Sequence, residues 1–395
     1  EGIPIEVFPQ RAFSGIDSFP MMAIPFFILA ADLMTSGKLT DLLVDFANAL
    51  VGHIRGGLGH VNVLVSVFFA GISGSALADA AGTGAIEMDM MVRAGYDRYY
   101  AGAMTAASAV IGPIIPPSII MVMYALTEGR TSVIGLFLAG IVPGLLFAVA
   151  LMIANHIIST RRGYRFSAEP PTFRRILLTF IRSLPGMFMP LIILGGIVLG
   201  WFTPTEAAAV AVAYALVVGF FITRSLTLKA LPKIVLGSAM TTAAVLIVVA
   251  MGSAFSWALT YAQIPQKVAM WVAGLTSSPT VVMLLIMLVA LITGMFVDTL
   301  PSVIILTPVL APVALQFGIS PLHVAMVICI GLAFGMITPP VAPVLFVVSS
   351  VRQVKFEKLC VAVLPLLAAE FCVLLLVTLV PQVSTWLPGI LGYFR

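Results

Sequence analysis

The chain is 395 residues long, with 61% hydrophobic and only 9% charged residues and a mean hydropathy of +1.15. That composition excludes a soluble globular domain. Apolar runs long enough to cross roughly 30 Å of hydrocarbon recur from end to end, which predicts an all-α polytopic membrane protein rather than a barrel of short alternating strands. The net charge of +4 is better explained by membrane sidedness than by a nucleic-acid partner. Cys329, Cys360 and Cys372 stand in or beside apolar runs, at a spacing that fits no metal or redox motif.

An outer segment over 1–18 precedes a first span over 19–35, "FPMMAIPFFILAADLMT". Residues 38–57 are charged and amphipathic, as in a helix lying along the membrane surface. The next stretch, 58–95, is apolar, then rich in Gly, Ser and Ala, then apolar with Glu87, Asp89 and Arg93. Each arm is short for a crossing, which predicts a re-entrant hairpin. A span over 98–127 is broken by "GPIIPP", and another crosses over 131–160. A basic loop at 161–175 leads to spans over 184–202 and 205–223, joined by "GWFTPTEAA", and then to one over 233–261. The earlier order then returns: an amphipathic piece (263–275), a second interrupted hairpin (280–318), a span over 322–351 broken at "GMITPP", and a last crossing over 356–386.

Gly71 and Gly294 stand 223 positions apart, as do Gly95 and Gly318, Gly112 and Gly335, Pro116 and Pro339, and Pro117 and Pro340. Such coincidences at one offset indicate an internal duplication. It divides the chain into a first repeat (19–160), a cytoplasmic loop with two further spans (161–226) and a second repeat (227–395). An odd number of spans separates the two hairpins, so the second enters from the opposite face, giving an inverted-repeat transporter. Counting Lys and Arg by side gives sixteen against four. The richer side is then cytoplasmic, and both ends of the chain face outward.

Proline costs little at the first position of a helix. Pro116-Pro117 and Pro339-Pro340 are therefore expected to start second half-helices, after first halves ending near Gly112 and Gly335. With the two hairpin tips, these breaks place free N–H groups and free carbonyls inside the bilayer. Such groups are tolerated only around something polar. The N-termini suit a carboxylate, and the carbonyls with nearby hydroxyls suit Na+. A plain packing kink is the alternative for a single proline.

The tips read "GISGSALADAAGTG" (71–84) and "GMFVDTLPSVIILTP" (294–308). At the same offset Ser75 matches Asp298, and Asp79 matches Ser302. Asp298 with Thr299 is the expected Na+ ligand pair at the second tip, and Ser73 with Ser75 at the first. Asp79 is open between capping the outgoing half-helix, pairing with a basic side chain and serving as a ligand. Asp89 and Arg93 have the i,i+4 spacing of a surface pair, with Glu87 beside them. His53, His60, His156 and His323 fall near span ends, none at metal spacing. "GISG" (71–74) also matches the nucleophile motif of rhomboid-type intramembrane proteases, but Ser73 would need a histidine at its depth. A channel would need a continuous polar lining rather than two polar clusters.

The chain resembles the large membrane (M) subunit of tripartite ATP-independent periplasmic (TRAP) transporters. The resemblance rests on "SGIDSFPMMAIPFFILAADLM" (14–34), "GISGSALADAAGTGAI", "GPIIPPS", "GWFTPTEAAAVAVAYAL", "AFSWALTYAQIP" (254–265), "GMFVDTLPSVIILTPVLAP" and "GMITPPVAPVLF", in family order across nearly the whole chain. The family carries a further hydrophobic segment before "SGIDSFP", so an N-terminal piece is expected to be absent here. The resemblance implies an elevator in the cytoplasmic (inner) membrane of a bacterium or archaeon, in which both hairpins and both broken helices slide against the other spans. It also implies a small membrane (Q) subunit, a periplasmic substrate-binding protein, and import of an organic anion such as a C4-dicarboxylate, sialic acid or sulfonate, driven by Na+. At least two Na+ ions are expected. Carried onto this chain, the first would use Ser73, Ser75 and backbone around Gly112 and Pro116. The second would use Gly294, Asp298, Thr299, Gly335 and Thr338. Substrate would lie near Ser73, Asp79, Ser118 and Thr338. A stand-alone anion/Na+ symporter without a binding protein is the alternative.

Overall fold

The computed structural model describes residues 6–164 and 172–393; part of the expected basic loop (165–171) and the extreme ends lie outside the described residues. Among them every regular element is a helix, and 8 helices are long and apolar enough to cross a membrane.

The chain opens with α1 (Val7–Ile16), a 3-10 turn (Phe19–Met22) and α2 (Ala23–Ser36). Lys38, at φ 53°, turns it into α3 (Leu39–Val51), the amphipathic piece. Leu39, Leu43, Val44 and Ala47 are buried there, while Asp41 and Asp45 are exposed. The first hairpin is α4 (Gly57–Ser73) running in, with α5 (Ala76–Ala81) and α6 (Thr83–Arg93) running out. Next come the halves of the first interrupted span, α7 (Arg98–Ala109) and α8 (Ile119–Glu128). The Asp97 carboxylate caps α7 by accepting the N–H groups of Tyr99 and Tyr100.

Four long helices follow: α9 (Val133–Arg162), α10 (Phe173–Val198), α11 (Pro204–Val217, extended by a π turn over Val218–Ile222) and α12 (Leu231–Tyr261). α10 begins inside the expected basic loop, because the Leu and Arg residues of its first turns favour helix. In the turn "GWFTPTEAA", Thr203 and Glu206 form a reciprocal capping box that starts α11.

From α13 (Ile264–Leu275) the order of elements repeats. The second hairpin is α14 (Pro279–Phe296) with α15 (Thr299–Gln316), and the second interrupted span is α16 (Pro321–Gly335) with α17 (Pro343–Arg352). The expected last crossing is two helices, α18 (Phe356–Leu379) and α19 (Gln382–Ile390). They part at Val380, because a residue before proline is pushed out of the helical region.

The first halves of the interrupted spans lie deepest: every residue from Tyr100 to Ala109 and from Leu322 to Gly335 is buried. A helix buried on all sides is surrounded by protein rather than lipid. α7 is packed by α4, α6, α9, α17 and α18, and α16 by α9, α14, α15, α18 and α19. A second set, α1, α2, α3, α10, α11 and α12, packs mostly within itself and meets the elements around α7 and α16 along α3–α4, α2–α4 and α12–α15, with a smaller contact of α10 on α4. Two polar ties hold the inner set. Asn155 accepts the Tyr100 hydroxyl at 2.9 Å and donates to Gly56 O at 3.0 Å. His323 sits between Ser384 Oγ and the Thr378 carbonyl.

Two expectations about surface charge are corrected. Asp89 pairs with Arg352 of α17 at 2.9 Å, not with Arg93. The end of α17 packs against α6, and the Arg352 guanidinium also donates to the Ala85 carbonyl, whereas Arg93 is exposed and gains little from a solvated pair. Glu87 is not at the surface: it is buried, and among the described residues neither carboxyl oxygen has a partner.

Candidate functional site

At the first tip α4 ends at Ser73, because Gly74 takes φ +61°. A Cβ on Gly74 would sit 2.6 Å from the Pro117 carbonyl oxygen, so tip and break pack backbone against backbone. Ser75 starts α5 as its N-cap, accepting Ala78 N–H at 3.4 Å. The Ser73 hydroxyl donates to Asp79 Oδ1 and accepts Ser75 N–H at 3.3 Å. Asp79 is buried, and its Oδ2 has no partner. A Cβ on Gly112 would crowd that oxygen, so any larger residue there would displace the Asp79 carboxyl group.

The breaks differ from expectation in one respect. Neither Pro-Pro pair starts a half-helix. The Pro116-Pro117 and Pro339-Pro340 bonds are cis, and both pairs lie within the connecting turns. α8 begins at Ile119 with Ser118 as its cap, which accepts Met121 N–H at 3.4 Å and donates to Pro113 O at 2.5 Å. α17 begins at Pro343, the first helical position, with Ala342 at φ 47°. A proline keeps its predecessor out of the helical region, so Pro116 and Pro339 cannot be helical before Pro117 and Pro340. In the second break Pro343 moves the start further still.

At the second tip Asp298 caps α15: Oδ1 accepts Thr299 N–H at 2.6 Å and its hydroxyl at 3.3 Å. Ser302 donates to Asp298 O at 2.7 Å. Tip and break are joined where Ala342 N–H donates to Met295 O at 3.1 Å. Gly294 and Gly335 abut. Thr338, in the break, donates to the Phe334 carbonyl in the last turn of α16 at 3.0 Å.

Both tips and both breaks border one cavity of about 40 Å³, lined by Gly74, Ser75, Pro113, Ile119, Asp298, Thr299 and Met336 among others. A water needs only about 10–15 Å³ by this measure, while pockets for small organic ligands run from about 300 Å³. The space suits an ion with water, not an organic acid. Of the expected residues, Ser75, Asp298 and Thr299 line it. Ser73, Asp79, Gly112, Pro116 and Ser118 gather around the first tip without lining it, and Gly294, Gly335 and Thr338 around the second.

Sequence reasoning missed three features. Ile119, Pro113 and Met336 close the cavity, and no polar signal marks them. Asn62, Thr105 and Ser108 form a buried hydrogen-bonded group between α4 and α7. Glu370 is wholly buried in α18 with both oxygens unpartnered; a lone acid inside an apolar span was signal enough to find it. The Ser73 hydroxyl bonds a carboxylate rather than a histidine, which leaves the protease motif without its base.

Residues 1–383 match the family described as tripartite ATP-independent periplasmic transporter, DctM component. The chain is 42% identical over 386 residues to the sialic acid TRAP transporter large permease protein SiaM of Vibrio cholerae, covering 97% of this chain and 90% of that one. It is 40% identical over 383 residues to the C4-dicarboxylate TRAP transporter large permease protein DctM of Pseudomonas aeruginosa, covering 97% and 89%. Among solved structures, the Alcanivorax borkumensis YdaH transporter superposes with a TM-score of 0.72 at 16% identity, covering 99% of this chain and 90% of that one, a likeness of fold alone.

Proposed function

The chain belongs to the DctM component family of tripartite ATP-independent periplasmic transporters, and we propose that it imports a small organic anion by Na+-coupled alternating access. It is a multi-pass membrane permease rather than an enzyme. Relatives named for sialic acid and C4-dicarboxylates support a carboxylate cargo, with a sulfonate as the nearest chemical alternative. In this reading a small membrane subunit supports the α1–α3 and α10–α12 set, and a periplasmic binding protein delivers the acid.

One observation carries the ion assignment: two hairpin tips and two helix breaks meet on an ion-sized cavity that holds the Asp298 carboxylate. The first Na+ is assigned to Ser73, Ser75 and backbone at Gly112 and Pro116. The second is assigned to Gly294, Asp298, Thr299, Gly335 and Thr338. The organic acid is assigned to the space that opens near Ser73, Asp79, Ser118 and Thr338 when the tips part. Both hairpins and both interrupted spans then move as an elevator against the outer set, consistent with their separate packing.

The test is uptake into proteoliposomes containing the assembled transporter, with an imposed Na+ gradient. Asp298→Ala is expected to abolish uptake or its Na+ dependence; wild-type Na+-driven uptake in that variant refutes the assignment.

A further inference from the structure

α10 starts with ten residues of two characters, "FRRILLTFIR" over 173–182. Phe173 is 78% exposed and Ile181 53%, with Leu177 also exposed on the same side. Arg174, Arg175 and Arg182 follow round the helix from that side. With Thr172, Thr179, Leu178 and Asp45 of α3 they line a groove of about 460 Å³.

Asp45 is the one carboxylate among the lining residues, against three guanidiniums, and no ion pair joins it to any of them. The first N–H groups of α10 lack intrahelical acceptors and add partial positive charge at the same end. Guanidinium forks match phosphate oxygens in pairs. Exposed apolar side chains beside the arginines, Leu178 within the groove included, are what a helix carries where it passes from acyl chains to headgroups. The groove lies on the face richest in Lys and Arg, the cytoplasmic one by the positive-inside rule.

We propose that this groove binds the phosphate of an anionic phospholipid of the inner leaflet, tying α10 and α3 to the bilayer. A soluble phosphate or an acidic protein segment would satisfy the arginines but leave Phe173, Leu177 and Ile181 unexplained. The combination of forked cations and lipid-facing apolar groups favours the lipid. None of this depends on the ion assignments at the hairpin tips.

The assembled transporter is placed in nanodiscs of phosphatidylglycerol and phosphatidylcholine, and the lipids it retains are counted by native mass spectrometry. Arg174→Gln/Arg175→Gln/Arg182→Gln is expected to weaken phosphatidylglycerol retention about a hundredfold, from the usual contribution of each basic residue near an anionic leaflet. The Lys version of the triple variant keeps the charge and is expected to retain lipid at an intermediate level. Arg224→Gln/Lys229→Gln/Lys233→Gln removes as much charge from the α11–α12 connection and the first turn of α12 and is expected to change nothing. Unchanged retention in the Gln triple variant overturns the proposal. So does equal loss in the α11–α12 control, or a melting-temperature rise with inorganic phosphate that matches the rise with lipid. Co-purification of a soluble protein through these arginines, in place of lipid, also counts against it.

Discussion

Gly335 and Gly294 lie backbone to backbone: a Cβ on Gly335 would fall 2.6 Å from the Gly294 carbonyl carbon and 2.6 Å from the Leu291 carbonyl oxygen. Neither neighbour is the end of a flexible side chain, so α14 and α16 would have to move apart. Overpacking of this kind costs about 1–3 kcal/mol. Gly335→Ala is therefore expected to lower the melting temperature of the purified transporter and to impair uptake. A melting curve identical to wild type would show that the two helices are not in this contact.

Asp79 holds the Ser73 hydroxyl, and no second acceptor for that hydroxyl is found. Removing the carboxyl group leaves a buried donor unpaired, at a cost of about 1–3 kcal/mol. Asp79→Ala is expected to reduce Na+-driven uptake about fivefold or more, since 1.4 kcal/mol is a factor of ten and 1 kcal/mol about a factor of five. Asp79→Asn keeps an acceptor without the charge. It should retain more of the fold's stability than Ala while raising the Na+ concentration needed for half-maximal uptake. Equal Na+ dependence in Asn and wild type would mean that the charge at this position does not act on the ion.

Arg352 joins α17 to the first hairpin through Asp89, with side chains 27% and 43% exposed. A pair so accessible contributes at most about 1 kcal/mol. A double-mutant cycle of Arg352→Gln and Asp89→Asn, followed by thermal denaturation, is expected to give a coupling of that size which shrinks as salt rises. A salt-independent coupling of several kcal/mol would place the pair in a drier setting than its exposure indicates.

Glu370 is buried in α18 with no hydrogen-bond partner for either oxygen among the described residues. Replacing an unpaired buried polar group by an apolar one of similar size relieves desolvation. Glu370→Met is expected to melt higher than wild type, corresponding to about 1–3 kcal/mol. A lower melting point would reveal a polar partner in the assembled transporter.

Most of the fold could be read from residue pattern, because long apolar runs fix spans and Gly-Pro clusters fix their interruptions. The tips were legible to within two residues, since Ser75 and Asp298 are helix-capping residues standing inside otherwise apolar runs. The starts of the second half-helices were not. Consecutive prolines push the start onward, and whether Ser118 or Pro343 takes over depends on the residues that follow. The Asp89 partner was illegible for a different reason. Arg352 is 263 positions away, and only the packing of α17 on α6 brings it within reach. Helical spacing could offer only the local candidate, Arg93.

α17 is fastened at both ends. Near its start Ala342 is hydrogen-bonded to Met295 of the second hairpin, and at its finish Arg352 grips Asp89 of the first. One short helix thus acts as a clasp between two halves of the chain that are far apart in sequence. Cutting the Arg352 end should slacken the clasp on the first hairpin without releasing it, since α17 still packs against α5 and α6, and should leave the second hairpin anchored.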